Sequence, residues 1–184
     1  MSDSEIKPVK KTALRIFWGK IRKHDRNAPE KDIIRFLKRI PFFKRLRRIE
    51  LEEVAGIIYE RNYQEGEYIF ETGQPGAALF IVASGEVSIE IPTADGDWTE
   101  ITKVGKHAFL GELALLDETP RSASARATVP TKVYALFRAD LDAMMDSAPH
   151  IVAHIYKALA TIVGSRLKAT NELLDRRDDL KAAS

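Results

Sequence analysis

Between residues 62 and 137 the apolar positions fall into short runs, and most of the gaps between those runs hold glycine beside another turn-forming residue. The runs are 68–70, 79–82, 87–91, 98–104, 123–127 and 133–137; the breaks include Glu65-Gly66, Gly73-Gln74-Pro75-Gly76, Ser84-Gly85, Asp95-Gly96 and Val104-Gly105. Glycine reaches positive φ without a Cβ clash, which is what tight antiparallel corners require. Many short strands at close spacing predict an antiparallel barrel or roll.

Helical periods bracket this block. Leu14, Phe17, Trp18 and Ile21 fall at helical spacing among Lys11, Arg15, Lys20, Arg22 and Lys23, so residues 12–24 read as a basic amphipathic helix. Such a helix can lie on an anionic membrane, although its apolar face more often packs on the parent domain. Asn27-Ala28-Pro29 ends it, residues 30–39 read as a second helix stopped at Ile40-Pro41, and residues 49–59 as a third. Beyond Phe137 a short helix at 140–146 and, past Pro149, a long one at 151–178 are expected. Along the long helix Tyr156, Ala160, Val163, Leu167, Thr170 and Leu174 alternate spacings of four and three, as in a coiled-coil seam. Ile155, Leu159, Ile162 and Leu173 form a neighbouring stripe. Two stripes imply two partners: the roll for one, and a second copy of the helix, hence a homodimer, for the other.

Composition narrows the function classes. With 45% hydrophobic and 30% charged residues the chain is an ordinary globular protein, and the absence of cysteine excludes disulfides, thiolate catalysis and thiolate metal sites. The longest apolar run, 77–83, is far shorter than the ~18 residues of a membrane span, and MSDSEIKPVKK lacks the apolar stretch of a signal peptide, so a cytoplasmic location is expected. Residues 1–50 carry 16 Lys/Arg against 6 Asp/Glu, and the remainder 13 against 21. An anionic partner, whether the other half of the chain or an external one, would therefore meet the N-terminal part.

The segment Phe109-Leu110-Gly111-Glu112-Leu113-Ala114-Leu115-Leu116-Asp117-Glu118-Thr119-Pro120-Arg121-Ser122-Ala123-Ser124 carries the chemistry. A glycine precedes one helical turn, a carboxylate sits in that turn, and an arginine follows at the start of a strand. A helix start favours a bound anion. The arginine fork matches two phosphate oxygens and keeps its charge at neutral pH. Ionised Glu112 is an acceptor suited to a sugar hydroxyl. Alone, each element is weak: a Gly-Glu pair is ordinarily a turn beside a solvated acid, and an arginine a surface residue. Together they describe a pocket for a ribose carrying a phosphate.

The combination resembles the phosphate-binding cassette of the cyclic-nucleotide-binding domain family, to which the bacterial catabolite activators and the protein kinase A regulatory subunits belong. Ile40-Pro41-Phe42-Phe43 looks like that family's N-terminal helical motif, and Gly66 through Gly85 like its turn-strand signature. The resemblance implies an α+β fold: an antiparallel, jelly-roll-like β-roll of about eight strands with N-terminal helices and a short plus a long C-terminal helix. It divides the chain into a basic extension (1–39), a cyclic-nucleotide-binding domain (40–178, with the roll at 60–137 and the C-terminal helices at 139–178) and a tail (179–184). Glu112 would take the ribose 2′-hydroxyl and Arg121 the cyclic phosphate, with Gly111, Leu113, Ala114, Ser122 and Ala123 completing the cradle. In the family, threonine after the arginine goes with cGMP and alanine with cAMP; Ser122 leaves both open. Thr170-Asn171 stands where the catabolite activators place a Thr-Ser pair against adenine, which favours cAMP. The expected absence of a DNA-binding domain also follows from this comparison, since the catabolite activators continue into a helix-turn-helix unit and here only residues 175–184 follow.

His150 and His154 lie four apart but without the third ligand a zinc site needs, and Glu52-Glu53 and Asp178-Asp179 read as solvated faces. No nucleophile or nucleotide-triphosphate motif is present, so a sensor acting on a protein partner, and not an enzyme, is expected. The rival from another class is an interaction or membrane-surface protein that works through its basic N-terminal region.

Overall fold

The computed structural model describes residues 22–23, 30–93 and 95–182, and most of the proposed first helix at 12–24 lies outside them. Its end is corrected: β1 (Arg22–Lys23) is extended and pairs antiparallel with β2 (Ile58–Tyr63). Helix α1 is Glu30–Leu37 and α2 is Arg48–Ala55. The expected helix at 49–59 therefore stops early. Gly56 closes it through its N–H to the Glu52 and Glu53 carbonyls, and Ile58 opens a strand that pairs along its whole length with β9 (Thr131–Phe137). Cross-strand pairing overrides the helical reading of Tyr59.

The other strands are β3 (Tyr68–Phe70), β4 (Ala78–Ser84), β5 (Val87–Pro92), β6 (Trp98–Val104), β7 (Phe109–Leu110) and β8 (Ser124–Ala127). They form two antiparallel sheets, in the orders β1-β2-β9-β4-β7 and β3-β8-β5-β6. This is the β-roll expected from the sequence. After β9 come α3 (Arg138–Ser147) and α4 (Pro149–Ala182).

Two apolar clusters hold the layers together. Inside the roll, Ile69, Phe70, Phe80, Val82, Val87, Leu110, Ala125, Val133 and Ala135 pack between the sheets. On the outer face of the first sheet, Leu79, Ile81 and Leu136 meet α1, α2, α3 and the first turns of α4 through Leu37, Leu51, Leu141, Ile151, Val152, Ile155 and Leu159. Strand β4 is covered on both faces, which explains the unbroken apolar run at 77–83 where half-buried strands alternate. The second helix of the sequence reading, α1, contributes Ile33, Ile34 and Leu37 to the same cluster as the domain body. Ile155 and Leu159 are buried in α4, so one of the two expected stripes faces the body; in the seam Tyr156 also packs against the body, while Ala160 and Thr170 are exposed and Leu167 is 60% exposed.

Gly85, at φ +90°, makes the β4–β5 corner, and an added Cβ would stand 2.3 Å from Thr131 Oγ1 and 2.7 Å from its Cα. Thr131 is fixed there by its own bonds to the Glu86 and Val129 carbonyls. We expect Gly85→Ala to destabilise the fold by about 2–4 kcal/mol in urea denaturation, because strain and collision add; an unchanged midpoint would contradict this corner.

Candidate functional site

The cassette is built on the inner edge of β4. Strand β7 pairs with β4 through Phe80↔Leu110 and Ile81↔Phe109, and Gly111 then turns the chain at φ +71° into the one-turn 3₁₀ helix Glu112–Leu115. The loop before β8 is clamped from the other side. Arg121 N–H donates to the Gln74 carbonyl at 2.8 Å, Gly73 N–H donates to the Arg121 carbonyl at 2.8 Å, and Pro75 bridges Pro120. Thr72 N–H donates to Ser124 Oγ at 2.9 Å. Close approach explains Gly76, where an added Cβ would lie 2.9 Å from that of Ala114. The Gly-Gln-Pro-Gly turn thus places Arg121 under the helical turn, although they are separated in sequence.

Arg121 is 8% exposed. Its Nη1 donates to the Gly111 carbonyl at 3.1 Å and its Nη2 to the Ala78 carbonyl at 2.6 Å, while its guanidinium lies 4.4 Å from the centre of the Phe70 ring. Nε is buried with no hydrogen-bond partner among the described residues. Burial depresses the basicity of the guanidinium, and the nearby Glu112 carboxylate opposes that shift. A buried cation held by neutral carbonyls, with one donor unspent, is a site still able to take an anion.

Glu112, also 8% exposed, accepts a charge-assisted bond from Arg166 Nη1 of α4 through Oε1. The same guanidinium lies 5.0 Å from the centre of the Phe109 ring. The cassette is thereby tied to the long helix. A second tie comes from Arg138 at the start of α3, whose Nη1 donates to the Ala114 carbonyl at 3.2 Å and to that of Asp117, and whose Nη2 meets Glu118 Oε1 at 3.1 Å. Asp117 accepts from the Thr119 hydroxyl and backbone N–H, which hold its carboxyl below the usual carboxylate range. Near this corner Tyr156 donates to Asp142 at 2.9 Å; burial and that carboxylate push its hydroxyl up to about 12.

The structure brings Gly111, Glu112, Leu113, Ala114, Arg121, Ser122 and Ala123 into one corner, with Leu113 and Ser122 exposed. Thr170 and Asn171 are exposed on α4; the Thr170 hydroxyl donates to the Arg166 carbonyl one turn earlier. Sequence reasoning missed Arg166 and Arg138, since neither carries a spacing signal. Arg121 is folded inward over Phe70, and the cavity it lines with Arg61, Gln74, Phe80 and Phe137 has room for about one water. Among the described residues no cluster of three potential metal ligands occurs, and no helix is long and apolar enough to cross a membrane.

Known proteins resemble this chain in sequence and in fold. The sequence model of the cyclic nucleotide-binding domain matches residues 60–148. The cyclic AMP receptor protein of Thermus thermophilus is 36% identical over 139 residues, which cover 76% of this chain and 62% of that protein. Human cGMP-dependent protein kinase 2 is 31% identical over 121 residues, covering 66% of this chain and 15% of the kinase. The chain thus spans less than two thirds of the length of either curated relative. Among solved structures, the N-terminal domain of a transcriptional regulator from Streptomyces coelicolor is similar at a TM-score of 0.65 and 30% identity, covering 77% of this chain and 94% of that domain.

An added Cβ on Gly111 would stand 2.2 Å from Arg121 Nη1, and the left-handed φ would be strained as well. Gly111→Ala is therefore expected to displace the guanidinium and lower stability by about 1–3 kcal/mol in urea denaturation. Wild-type stability in that variant would show that Arg121 is not seated against Gly111.

Proposed function

Because the chain belongs to the cyclic nucleotide-binding domain family, we propose that it is a cAMP sensor whose long C-terminal helix reports the state of the cassette to a protein partner. The Glu112–Arg166 pair carries this reading, since it joins the carboxylate assigned to the ribose hydroxyl directly to α4. Arg121 leaves the carbonyls of Gly111 and Ala78 for the cyclic phosphate, a stronger acceptor because it is charged. Glu112 accepts from the 2′-hydroxyl, and the backbone at Gly111, Leu113 and Ala114 with Ser122 and Ala123 closes around the phosphate. A hydroxyl arriving on Glu112 changes what the carboxylate offers Arg166, and a ligand shifts a helix only through such a difference in contacts. Thr170 and Asn171, one turn beyond Arg166, are positioned on α4 to read the base once the helix closes, in a dimer or alone.

The preference for adenine is supported by the Thr170-Asn171 pair and by the similarity to a protein named as a cyclic AMP receptor. The similarity to a cGMP-dependent kinase, with serine at position 122, supports cGMP as the second reading. The family regulates by binding, and no step here requires a chemical transformation.

In calorimetric titration, cAMP should bind wild type more tightly than cGMP, and Arg121→Ala and Glu112→Ala should each weaken binding more than about tenfold, since a charge-assisted hydrogen bond contributes about 1.5–3 kcal/mol. Unchanged affinity in both variants would remove the site assignment, and tighter cGMP binding would reverse the choice of base. For the coupling, cAMP should alter amide exchange in α4 around residue 166, and Arg166→Gln should abolish that response while leaving the body's protection intact. A response of equal size in the variant would separate α4 from the cassette.

A further inference from the structure

Six cations stand within residues 38–48, and the turn between α1 and α2 sorts them to one side of the chain. Ile40, Phe42, Phe43 and Leu46 are at most 5% exposed, and they pin the segment through successive backbone bonds: Ile40 N–H to the Leu37 carbonyl, Phe43 to Ile40, and Leu46 to Phe43. With the apolar residues drawn inward, Lys38, Arg39, Lys44, Arg45, Arg47 and Arg48 are left exposed. A distant part of the chain adds to them. Phe36 of α1 stacks on His107 with ring centres 4.9 Å apart, which sets exposed Lys106 beside this turn. Burial, then the charges of Lys106 and Arg39, hold the His107 imidazole below its ordinary value, as expected where two cations converge.

Arg47 and Arg48 are paired with Glu50 and Glu52. Among the described residues no carboxylate lies within ion-pair distance of Lys38, Arg39, Lys44, Arg45 or Lys106. Five like charges on one ledge repel one another, and nothing in the nucleotide reading uses them. Beside them, on the first turn of α2, Ile49 is 60% exposed, an apolar side chain at the rim of a cationic surface.

We propose that this ledge is a docking surface for an anionic phospholipid membrane. Two observations favour lipid over nucleic acid. The exposed isoleucine offers an apolar contact that a phosphodiester backbone cannot use but a headgroup layer can. Upstream, residues 1–29 carry 8 Lys/Arg against 3 Asp/Glu, with Leu14, Phe17, Trp18 and Ile21 at the spacing of an interfacial helix. A polybasic surface together with an apolar element is the pair of signals that lasting membrane attachment takes, since either alone binds only weakly. The cations of this face are none of the residues assigned to the nucleotide, although Phe42 beneath them meets Phe109 with ring centres 5.1 Å apart.

The test is co-sedimentation of the full chain with vesicles of phosphatidylcholine alone and of phosphatidylcholine mixed with phosphatidylglycerol. Wild type should pellet only with the anionic vesicles and be released by salt, because screening removes the attraction. The variant carrying Lys38→Gln, Arg39→Gln, Lys44→Gln and Arg45→Gln should bind them about tenfold more weakly or less, with an unchanged thermal midpoint. Should that variant not fold, the milder Lys44→Gln, Lys106→Gln pair should show the same loss in smaller measure. Equal binding by folded variants and wild type, equal binding to neutral vesicles, or tighter binding to duplex DNA at the same phosphate concentration would each overturn the proposal. None of these outcomes depends on whether cAMP binds.

Discussion

The arrangement turns on one buried cation. Taking a guanidinium out of water costs several kcal/mol unless hydrogen bonds replace the lost hydration. Arg121 recovers part of that from two carbonyls and an aromatic face. Its neighbours are arranged to permit this. Gly111 lacks the side chain that would collide with Nη1, the Ala78 carbonyl lies on the inner edge of β4, and the 73–75 turn clamps the arginine's own backbone. The roll, the glycine turns and the one-turn helix can all be understood as what it takes to hold one charge inside a β-sandwich with a donor unspent.

A second arginine, on another element, ties that site to the long helix. Arg166 lies on α4 beyond Leu159, where Ile162 is only partly buried against the body and, among the described residues, none is fully buried. The proximal turns are anchored by Ile151, Val152, Ile155 and Leu159, so local opening costs far more there than at the exposed distal turns. The contact with Glu112 thus falls beyond the turns that are anchored in the core, which is where the proposed signal to the helix would pass.

Much of this was legible in the residues, and what was not has a physical reason. The six strands read from short runs between glycine turns all formed, because the glycine corners mark where each run must end. Strand β2 was missed: Ile58-Tyr59-Glu60-Arg61-Asn62-Tyr63 follows directly on a helix, and its strand character comes from β9 alongside it. Strand β7 was too short to show a period, and the extended backbone at Arg22–Lys23 depends on the same edge of β2. The cassette was legible because its residues lie within one segment. Its ties to Arg138 and Arg166 were not, because these join positions 24 and 54 residues apart. Nor could the sequence show that the Arg121 guanidinium donates to the carbonyls of Gly111 and Ala78.

The central claim is that the Arg121 guanidinium exchanges backbone carbonyls for a cyclic phosphate, and a crystal structure of the chain with cAMP tests it most directly. The account predicts the phosphate within hydrogen-bond distance of Arg121, its contact with the Ala78 carbonyl lost or lengthened, and the sugar hydroxyl on Glu112. A nucleotide bound elsewhere, with Arg121 still seated on the carbonyls of Gly111 and Ala78, would contradict it.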